Sequence, residues 1–497
     1  MAAFEAIGTT DDTTDTTDTT EATDTTDATD AVPWRVVPLW INGQAAPLVP
    51  ERIYEIVNAV ENKVVHHAQG ADVEEAKSAC DAAAAVYPSW SKTLYWERRN
   101  ILLKAADLIE SRAVELERAH QSSGRRLPNS TQNLLGTIPL VYDGEIRVFV
   151  HKEAIGPVLL IPPWNSPSIL GPRCMAAALA AGCTIVLKAS ELCPLVYRKL
   201  VDVFEAAGVP KGVINQVQVR REDAAAVTDA LIAHPAIRKV EFIGSTKLGK
   251  VIGQLASKYL KPLLMELGGK STVLVLKDAD LEMAAKNFAF GVFCHNGQIC
   301  FSTERIIVIR EIADKFIRAL KEKVATNYAD DLGSAATKSF ALQSQAIVQA
   351  AKNDEAEFVI GNNSLIGPNK TTLTPTILQN VKRTSELADE EAFGPSASLY
   401  LADDVDTAVD MANDRLYGLT AAVWTNDAML AMDLSSRLQY GIIHINACTL
   451  ADVPMMPVQG CKSSGWGSNN ASYGINDFLE TKTVTMRPAA SKIQFRG

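Results

Sequence analysis

The chain has 497 residues, 47% of them hydrophobic, and its formal net charge is −10. This length exceeds the usual size of one hydrophobic core, so two or three packed domains are expected. The negative charge provides no strong positive field, which argues against nucleic acid and membranes as partners and favours small molecules.

Cysteine usage and the N-terminus indicate the compartment. The eight cysteines include no CxxC pair and have no ligand-like histidine spacing, so neither a bound metal nor a disulfide framework is predicted. The N-terminus lacks the basic start and apolar run of a secretory signal, and no uninterrupted apolar stretch approaches the length of a membrane span. A reducing, cytoplasmic location is therefore expected.

The first elements along the chain are a tail, a strand and two helices. Residues 1–32 include a Thr- and Asp-rich tract with almost nothing to bury, which predicts a disordered tail. The folded part is expected to begin near Trp34, with a short strand running into a turn at 38–44. Helical spacing of apolar residues over 73–119 predicts two long helices, broken near Pro88.

An alternation of strands and helices follows. Strands are predicted at 155–161, 184–188, 213–217 and 240–244, with helices at 171–181 and 199–207. A second series has strands at 271–276, 305–309, 421–424 and 442–446, with a helix at 284–290. Such alternation predicts α/β architecture with parallel sheets of the doubly wound type, in two domains joined near residues 266–270.

The segment His295-Asn-Gly-Gln-Ile-Cys300 places a cysteine directly after a glycine-containing turn. Most cysteines of a reduced protein are inert, buried and small, so this pattern alone does not separate a nucleophile from a core residue.

Two polar residues stand beside predicted strands. Asn165 follows the strand at 155–161, and the carboxyl ends of parallel strands are where α/β sheets bind ligands. Its amide can donate to a developing oxyanion, or it can cap a turn. Glu266 lies in apolar sequence beside two glycines, where desolvation would suit it to act as a general base. A salt-bridged or helix-end carboxylate is the alternative.

The segment from Phe242 to Gly249 runs from a strand into a helix, whose N-terminus offers N–H groups to a phosphate. It is not the GxGxxG dinucleotide pattern. It matches half of a P-loop through Gly249 and Lys250, but Val251 stands where the magnesium-binding Ser or Thr is required, which argues against a nucleoside triphosphatase.

Together these segments resemble the aldehyde dehydrogenase superfamily from Trp34 to the C-terminus. The motifs that carry the resemblance are Pro163-Trp-Asn165, Lys188-Ala-Ser-Glu191, Phe242-Ile-Gly-Ser-Thr246, Glu266-Leu-Gly-Gly269, Gly297-Gln-Ile-Cys300, Glu390-Glu-Ala-Phe-Gly-Pro395 and Ser463-Ser-Gly465. Within the superfamily, segments such as 168–173, 222–238 and 298–305 are most similar to salicylaldehyde and vanillin dehydrogenases.

The resemblance implies an architecture of three parts. A Rossmann-type NAD-binding domain would comprise residues 33–135 and 155–265, and an α/β catalytic domain residues 266–476. Residues 136–154 and 477–497 would form a β oligomerisation arm, whose C-terminal strand adds to a partner's sheet in a homodimer or homotetramer.

The resemblance also implies an NAD-dependent oxidation of an aldehyde, with an aromatic aldehyde expected, to the carboxylic acid. Cys300 would add to the aldehyde carbon, and the Asn165 amide and the Cys300 N–H would hold the negative oxygen. Hydride loss would leave a thioester, which Glu266 would hydrolyse by activating water. His295, His444 and Cys294 are expected to be structural.

The cofactor residues follow from the same resemblance. Lys188 and Glu191 would hold the adenosine ribose, and a carboxylate there repels a 2′-phosphate, which favours NAD over NADP. Gly244 and Ser245 would receive the pyrophosphate, and Glu391 and Phe393 the nicotinamide ribose. The other implied cofactor-binding residues are Ile161, Pro163, Trp164, Ser190, Phe242, Leu248 and Leu267.

Two alternatives to this function remain. The segments at 120–148 and 327–339 look shorter than in the family, and Gln459 replaces one of two expected glycines. A catalytically impaired aldehyde dehydrogenase-like binding protein is therefore the first alternative. The second is a cofactor-independent thiol esterase or acyltransferase that uses Cys300 and Glu266.

Overall fold

The structure, a computed structural model, describes residues 36–119, 138–139, 146–328 and 332–488. The predicted tail lies outside the described residues, and so does most of the segment at 120–148. In the described parts of the chain, no helix is long and apolar enough to cross a bilayer.

Strands and helices alternate along the described chain and are numbered here in chain order. The strands are β1 (Val36–Val37), β2 (Trp40–Ile41), β3 (Gln44–Ala45), β4 (Ile53–Asn58), β5 (Lys63–Gln69), β6 (Arg147–Ala154), β7 (Val158–Ile161), β8 (Ile185–Ala189), β9 (Ile214–Gln218), β10 (Lys239–Ile243), β11 (Leu263–Glu266), β12 (Ser271–Val275), β13 (Thr303–Ile309), β14 (Glu357–Ile360), β15 (Leu365–Ile366), β16 (Thr372–Leu373), β17 (Thr376–Gln379), β18 (Ser396–Ala402), β19 (Tyr417–Gly418), β20 (Thr420–Trp424), β21 (Ile442–Ile445), β22 (Cys461–Lys462), β23 (Gly465–Trp466) and β24 (Leu479–Met486). The α-helices are α1 (Val73–Trp90), α2 (Tyr95–Ser111), α3 (Ala113–Ala119), α4 (Pro167–Ala181), α5 (Pro194–Ala207), α6 (Ala224–Ala233), α7 (Thr246–Lys258), α8 (Leu281–Phe293), α9 (Ala313–Asn327), α10 (Lys338–Asn353), α11 (Glu386–Asp389), α12 (Val405–Asn413), α13 (Ala428–Arg437) and α14 (Ala471–Asp477).

The first sheet has eight strands in the order β23-β11-β10-β7-β8-β9-β2-β3. The strands from β7 to β11 pair in parallel, whereas β23 and the β2-β3 hairpin are antiparallel at the two edges. Strand β7 is a continuous run of Val, Leu and Ile because both its faces are covered. The predicted parallel sheet is confirmed, and so is the short strand and turn at 38–44.

Helices cover both faces of the first sheet, as a doubly wound arrangement requires. On one face α2, α4 and α5 pack against Leu160 and Leu187. On the other face α1, α6 and α7 pack against Leu159 and Val186. Successive strand residues point to opposite faces, so neighbouring apolar residues supply two separate cores.

Several helix boundaries differ from the prediction. Helix α1 does not break near Pro88 but runs to Trp90, and the break falls at residues 91–94. Pro88 lies in the last turn, where its missing N–H removes one hydrogen bond without ending the helix. Helices α4 and α5 begin earlier than predicted, at Pro167 and Pro194, because proline is well tolerated in the first turn.

The second sheet has seven strands in the order β14-β17-β18-β13-β12-β20-β21, all parallel except β14. The core beside it includes Phe288 of α8 and Phe316 of α9, whose rings meet edge to face with centroids 6.4 Å apart. The chain passes from the first sheet to the second between Glu266 and Ser271. The two predicted α/β series are therefore present, and the domain limits assigned to them remain predictions.

Strands β6 and β24 form a separate antiparallel ribbon. Eight residue pairs run from Leu479 opposite Ala154 to Met486 opposite Arg147. Most residues of β24 are exposed, and Lys152 is tied to Asn476 by a 2.7 Å hydrogen bond. The predicted C-terminal strand is confirmed, and its role in oligomerisation remains a prediction.

Candidate active site

A cavity of about 410 Å³ opens beyond the carboxyl ends of β7, β8 and β10, where the first sheet meets loops of the second. It is the position that parallel α/β sheets use for ligands. The structure brings fifteen of the sixteen predicted site residues to this cavity: Asn165, Glu266, Cys300, Ile161, Pro163, Trp164, Lys188, Ser190, Glu191, Phe242, Gly244, Ser245, Leu248, Glu391 and Phe393.

Leu267 is the predicted residue that lies elsewhere. It follows Glu266 in the chain and lines a neighbouring cavity between α7 and β23. There it packs so closely on α7 that a Cβ added to Gly249 would lie 2.5 Å from a Leu267 methyl carbon. Leu267 therefore packs against α7 and does not line the main cavity.

Seven lining residues were missed by the sequence reasoning: Pro162, Leu170, Ile243, Gly268, Phe340, Gln343 and Ala392. Phe340 has the clearest contact, because its ring stacks on Trp164 with centroids 5.0 Å apart and planes 17° apart. Phe393 meets the same indole edge-on at 5.7 Å. Phe340 lies in an ordinary amphipathic helix, α10, so its spacing carried no signal of a site.

Glycines bring the main-chain segments around Cys300 together. A Cβ on Gly269 would lie 2.6 Å from the carbonyl oxygen of Cys300, so only glycine allows this approach. The turn before Cys300 holds three consecutive left-handed residues, His295 at φ 54°, Asn296 at φ 57° and Gly297 at φ 69°. Such backbone strain persists only where surrounding contacts enforce it, and it is concentrated at functional sites.

The thiol of Cys300 and the carboxyl of Glu266 are neighbours in a dry environment. Glu266 is 5% exposed, and neither of its carboxyl oxygens has a hydrogen-bond partner of good geometry. Burial raises its pKa to about 7, an increase that Cys300 and Arg173 oppose. Burial, with the carboxyl of Glu266 beside it, holds the pKa of the Cys300 thiol well above its usual value. A carboxyl with a pKa near neutrality is suited to accepting a proton from a thiol or from water.

Asn165 lies beside the loop that carries Cys300. Its side chain is buried, and its Nδ2 donates to the backbone oxygen of Gln298 at 2.9 Å. Gln298 is held in turn by its own amide, which donates to the backbone oxygens of His295 and Ser334. One N–H of the Asn165 amide is thus used to fix its orientation, and a primary amide has a second N–H to offer a ligand.

A buried ion pair holds the main-chain segment that carries Glu391 and Phe393. Lys270 pairs with Glu304, and both side chains are almost completely buried. Glu304 accepts hydrogen bonds from the N–H of Ala392 at 3.0 Å and of Phe393 at 3.2 Å. The carboxyl of Glu391, which accepts from the N–H of Gly269 at 3.1 Å, has its pKa raised to about 8 by burial and by the nearby Glu304.

We expect Lys270→Met to lower the free energy of unfolding by about 3 kcal/mol, because it leaves Glu304 as a buried charge without its ion-pair partner. The exposed pair of Arg310 and Asp403 is the control, and Arg310→Met should change stability by less than about 1 kcal/mol. Denaturant unfolding measures both. Equal effects of the two variants would show that the buried pair does not hold the segment around Glu391.

The far end of the cavity has the groups expected around a dinucleotide. Ser245 caps the thirteen-residue helix α7, accepting from the N–H of Leu248 at 3.3 Å, and the first N–H groups of a helix lack intrahelical partners. Lys188, near the end of β8, and Glu191, two residues after β8, both line the cavity. The free N–H groups of α7 could bind an anion, and the carboxylate of Glu191 could accept hydrogen bonds from hydroxyl groups of a ligand.

The described histidines and cysteines outside this cavity form neither a metal site nor a disulfide. Among the described residues, no group of three or more His, Cys, Asp or Glu side chains could hold a metal ion. None of the eight cysteines is in a disulfide. Burial lowers the pKa of both His295 and His444 below the usual value.

Comparison with known proteins identifies the class that this fold and cavity define. The profile of the aldehyde dehydrogenase family matches residues 48–484. The chain belongs to the aldehyde dehydrogenase family, and it is an enzyme that oxidises aldehydes.

Three relatives illustrate the likeness. The vanillin dehydrogenase of Pseudomonas fluorescens is 38% identical over 476 residues, which cover 91% of this chain and 98% of the relative. The crystal structure of a salicylaldehyde dehydrogenase from Pseudomonas putida G7, complexed with salicylaldehyde, is 29% identical with a TM-score of 0.87, over 93% of this chain and 100% of the other. The structure of betaine aldehyde dehydrogenase from Staphylococcus aureus in complex with NAD+ is 25% identical with a TM-score of 0.85, over 92% and 95%. The predicted family, fold class and likeness to vanillin and salicylaldehyde dehydrogenases are confirmed.

Proposed function

We propose that the protein oxidises an aromatic aldehyde to its carboxylic acid with NAD, through a thioester on Cys300. The observation that carries this proposal is the meeting of three groups at one cavity: the thiol of Cys300, the carboxyl of Glu266 and the amide of Asn165. They come from three separate segments of the chain, and an aldehyde that reached the thiol would lie among all three.

The first half of the reaction makes a carbon–sulfur bond. Glu266 accepts the thiol proton, and the thiolate of Cys300 adds to the aldehyde carbon. The amide of Asn165 and the backbone N–H of Cys300 donate hydrogen bonds to the oxygen that becomes negative. NAD held in this cavity would supply the hydride acceptor, and loss of the hydride leaves the carbon attached to Cys300 as a thioester.

The second half hydrolyses the thioester. Once it is again a carboxylate, Glu266 takes a proton from water, and the resulting hydroxide attacks the thioester carbon. The carbon–sulfur bond breaks, the proton of the carboxylic acid passes to the sulfur of Cys300, and the carboxylate leaves. Each hydrolysis therefore leaves one proton on Glu266.

The cavity fits a dinucleotide by the chemistry of its donors and acceptors. The N-terminus of α7, with Gly244 and Ser245, would receive the pyrophosphate. Lys188 and Glu191 would hold the adenosine ribose, and Glu391 with Phe393 the other ribose. NAD is favoured over NADP because a carboxylate at Glu191 would repel a 2′-phosphate.

Removing the charge of Glu191 is expected to weaken cofactor selectivity. In Glu191→Gln, the ratio of kcat/KM with NAD to kcat/KM with NADP should fall by about tenfold or more, since one charge repulsion is lost. Glu222→Gln, which changes an exposed carboxylate outside the cavity, should leave the ratio unchanged. An unchanged ratio in Glu191→Gln would contradict the assignment of this end of the cavity to the adenosine ribose.

An aromatic substrate is favoured by the surroundings of Cys300 and by the relatives. The thiol packs in an apolar cluster with Phe301, Leu419 and Val458, to which Ile299, Leu450 and Met456 also belong. Apolar surroundings beside the thiol favour an aromatic ring over a polar group. The relatives named for vanillin and salicylaldehyde support the same substrate class.

The experiment is a panel of aromatic and aliphatic aldehydes, each assayed with NAD and with NADP for the formation of NADH or NADPH. We expect the highest kcat/KM with aromatic aldehydes and NAD. Failure of the whole panel would contradict the proposed reaction. Ester hydrolysis without cofactor, in the absence of aldehyde oxidation, would favour a thiol esterase instead.

We also propose that the protein forms a homodimer or homotetramer through the ribbon of β6 and β24. Residues 480–486 of β24 are exposed along the whole strand, and an exposed strand edge can pair with a partner's sheet. Sedimentation analysis of the full chain would measure the state, and a monomer at assay concentrations would contradict it.

A further inference from the structure

A second buried carboxyl lies close behind the active site and has no role in the reaction described above. Glu241, in the middle of β10, is 1% exposed. Its Oε1 accepts a hydrogen bond from the thiol of Cys174 at 3.1 Å, and Cys174 is also 1% exposed. Its Oε2 is buried without a hydrogen-bond partner of good geometry, although the side chain of Asn469 lies near enough to lower its pKa. An incompletely paired carboxyl at this depth costs stability, so it calls for a functional reason.

The strand register places Glu241 on the same side of the sheet as Glu266. Strands β10 and β11 are parallel neighbours, with Ile243 directly opposite Glu266. Side chains alternate along a strand, so Glu241 and Ile243 share a face with Glu266. Helix α4 covers this face, since its Leu170 packs in one core with Ile243, and both line the active-site cavity. Cys174 stands one helical turn after Leu170.

Burial raises the pKa of both carboxyls. Burial raises the pKa of Glu241 to about 7, and Cys174, Lys239 and Asn469 oppose that rise while Asp477 adds to it. Burial also raises the pKa of Glu266 to about 7, a rise that Cys300 and Arg173 oppose and Asp452 increases. Cys174 lies within electrostatic reach of both carboxyls. Both carboxyls can therefore gain and lose a proton near neutral pH.

The row of buried polar side chains formed by Glu266, Cys174 and Glu241 continues to the surface through Lys239 and Asp477. Lys239, two residues before Glu241 on the same strand face, donates to the backbone oxygen of Asp477 at 2.6 Å and to its Oδ1 at 2.5 Å. The side chain of Asp477 is 20% exposed, whereas that of Lys239 is 6% exposed. The order from inside to outside is therefore Glu266, Cys174, Glu241 and the pair of Lys239 and Asp477.

We propose that Glu241 and Cys174 form the exit path by which Glu266 loses its proton after each thioester hydrolysis, an inference that rests on the proposed function. Glu266 gives its proton to the sulfur of Cys174 as the thiol proton moves to Oε1 of Glu241. The thiol is unchanged, Glu266 becomes a carboxylate, and Glu241 becomes a carboxyl. Glu241 then releases the proton toward solvent at Lys239 and Asp477. No oxidation or reduction is involved.

The test compares Glu241→Gln and Cys174→Ala with the control Cys183→Ala. Cys183 is also fully buried, and its thiol contacts the backbone oxygen of Phe478 at 3.6 Å and makes no hydrogen bond to Glu241 or Glu266. For each protein, with NAD and a benzaldehyde, the first-turnover burst of NADH, the steady-state kcat and the solvent deuterium isotope effect on kcat are measured.

We expect Glu241→Gln and Cys174→Ala to keep the burst of NADH, because hydride loss precedes hydrolysis. Their kcat should fall about tenfold, with a larger solvent isotope effect, because proton release becomes rate-limiting. Cys183→Ala should resemble wild type in all three measurements. Cys174→Ser, which keeps a transferable proton, should recover most of kcat.

The proposal is overturned if Glu241→Gln shows wild-type kcat and isotope effect. It is also overturned if burst and kcat fall in parallel with no change in isotope effect, as a purely structural defect would cause. Failure of the proposed function gives a different result, since wild type itself would then produce no NADH from any aldehyde.

Discussion

Replacing Cys300 by alanine is expected to lower kcat/KM for aldehyde oxidation at least about a thousandfold, the scale at which loss of a covalent nucleophile is measured. Without the sulfur, no tetrahedral adduct forms and the aldehyde carbon has no negative oxygen to expel hydride. Absorbance of NADH with an aromatic aldehyde measures the loss. Binding of NAD, followed by calorimetry, should be nearly unchanged because Cys300 is not among the proposed cofactor contacts.

Cys294→Ala is the matched control for this variant. Cys294 lies six residues earlier in the same segment, at the junction of α8 and the strained turn. It should retain most of the activity, since the proposed reaction uses a single sulfur. Activity in Cys300→Ala similar to that of Cys294→Ala would refute a covalent mechanism at Cys300.

The second large effect is expected for Glu266→Gln. Hydrolysis of the thioester loses its base, so steady-state kcat should fall about 100- to 1,000-fold. The first turnover should still release NADH, although more slowly than in wild type, because the small thiolate fraction of Cys300 at alkaline pH is replenished as it reacts with the aldehyde. Rapid-mixing absorbance at pH 8.5 would therefore show a burst of about one NADH per active site, followed by slow turnover. If the burst and the steady-state turnover fell to the same extent, Glu266 would act only in deprotonating the thiol.

The pH dependence follows from the protonation of Glu266. Its pKa is raised to about 7, and only the carboxylate form can accept a proton. The kcat of wild type should therefore fall as pH decreases below about 7, tenfold for each further pH unit. Glu266→Gln should lack this dependence in its residual rate. A wild-type profile that is flat from pH 5 to 8 would contradict a base at this position.

Much of the fold could be predicted from periodicity and turn chemistry. Most of the buried strands from β7 to β13 are short apolar runs between helical segments. This alternation of strands and helices indicates parallel sheets, and the details of side-chain packing are not needed to predict it. Errors occurred at boundaries, where local rules conflict. Pro88 was expected to end a helix, but the packing of Trp90 in the core continues α1 past it.

The site was predictable where its residues follow strands, and unpredictable where they come from the middle of a helix. Asn165, Glu191 and Ser245 each come just after a buried strand, a position that parallel sheets give to ligands. Phe340 and Gln343 lie in α10, more than 170 residues from Trp164 in the chain, and only the tertiary fold brings them to the cavity.

The partnership of Glu241 and Cys174 was unpredictable for a different reason. In sequence Glu241 stands between Val240 and Phe242, and a lone acidic residue in a strand normally faces solvent. Its burial depends on α4 covering that face of β10, which is a property of the assembled sheet. Leu267 was predicted to line the site because it follows Glu266 in the chain. Successive residues point to opposite sides, so Leu267 faces the neighbouring cavity instead.

Mass spectrometry of the trapped intermediate tests the central claim most directly. Glu266→Gln is mixed with NAD and an aromatic aldehyde, quenched in acid during the slow phase, and digested. We predict that the peptide containing Cys300 carries the acyl group of the aldehyde in a hydroxylamine-sensitive bond. An unmodified Cys300 peptide accompanied by stoichiometric NADH, or an acyl group on a different residue, would contradict the mechanism.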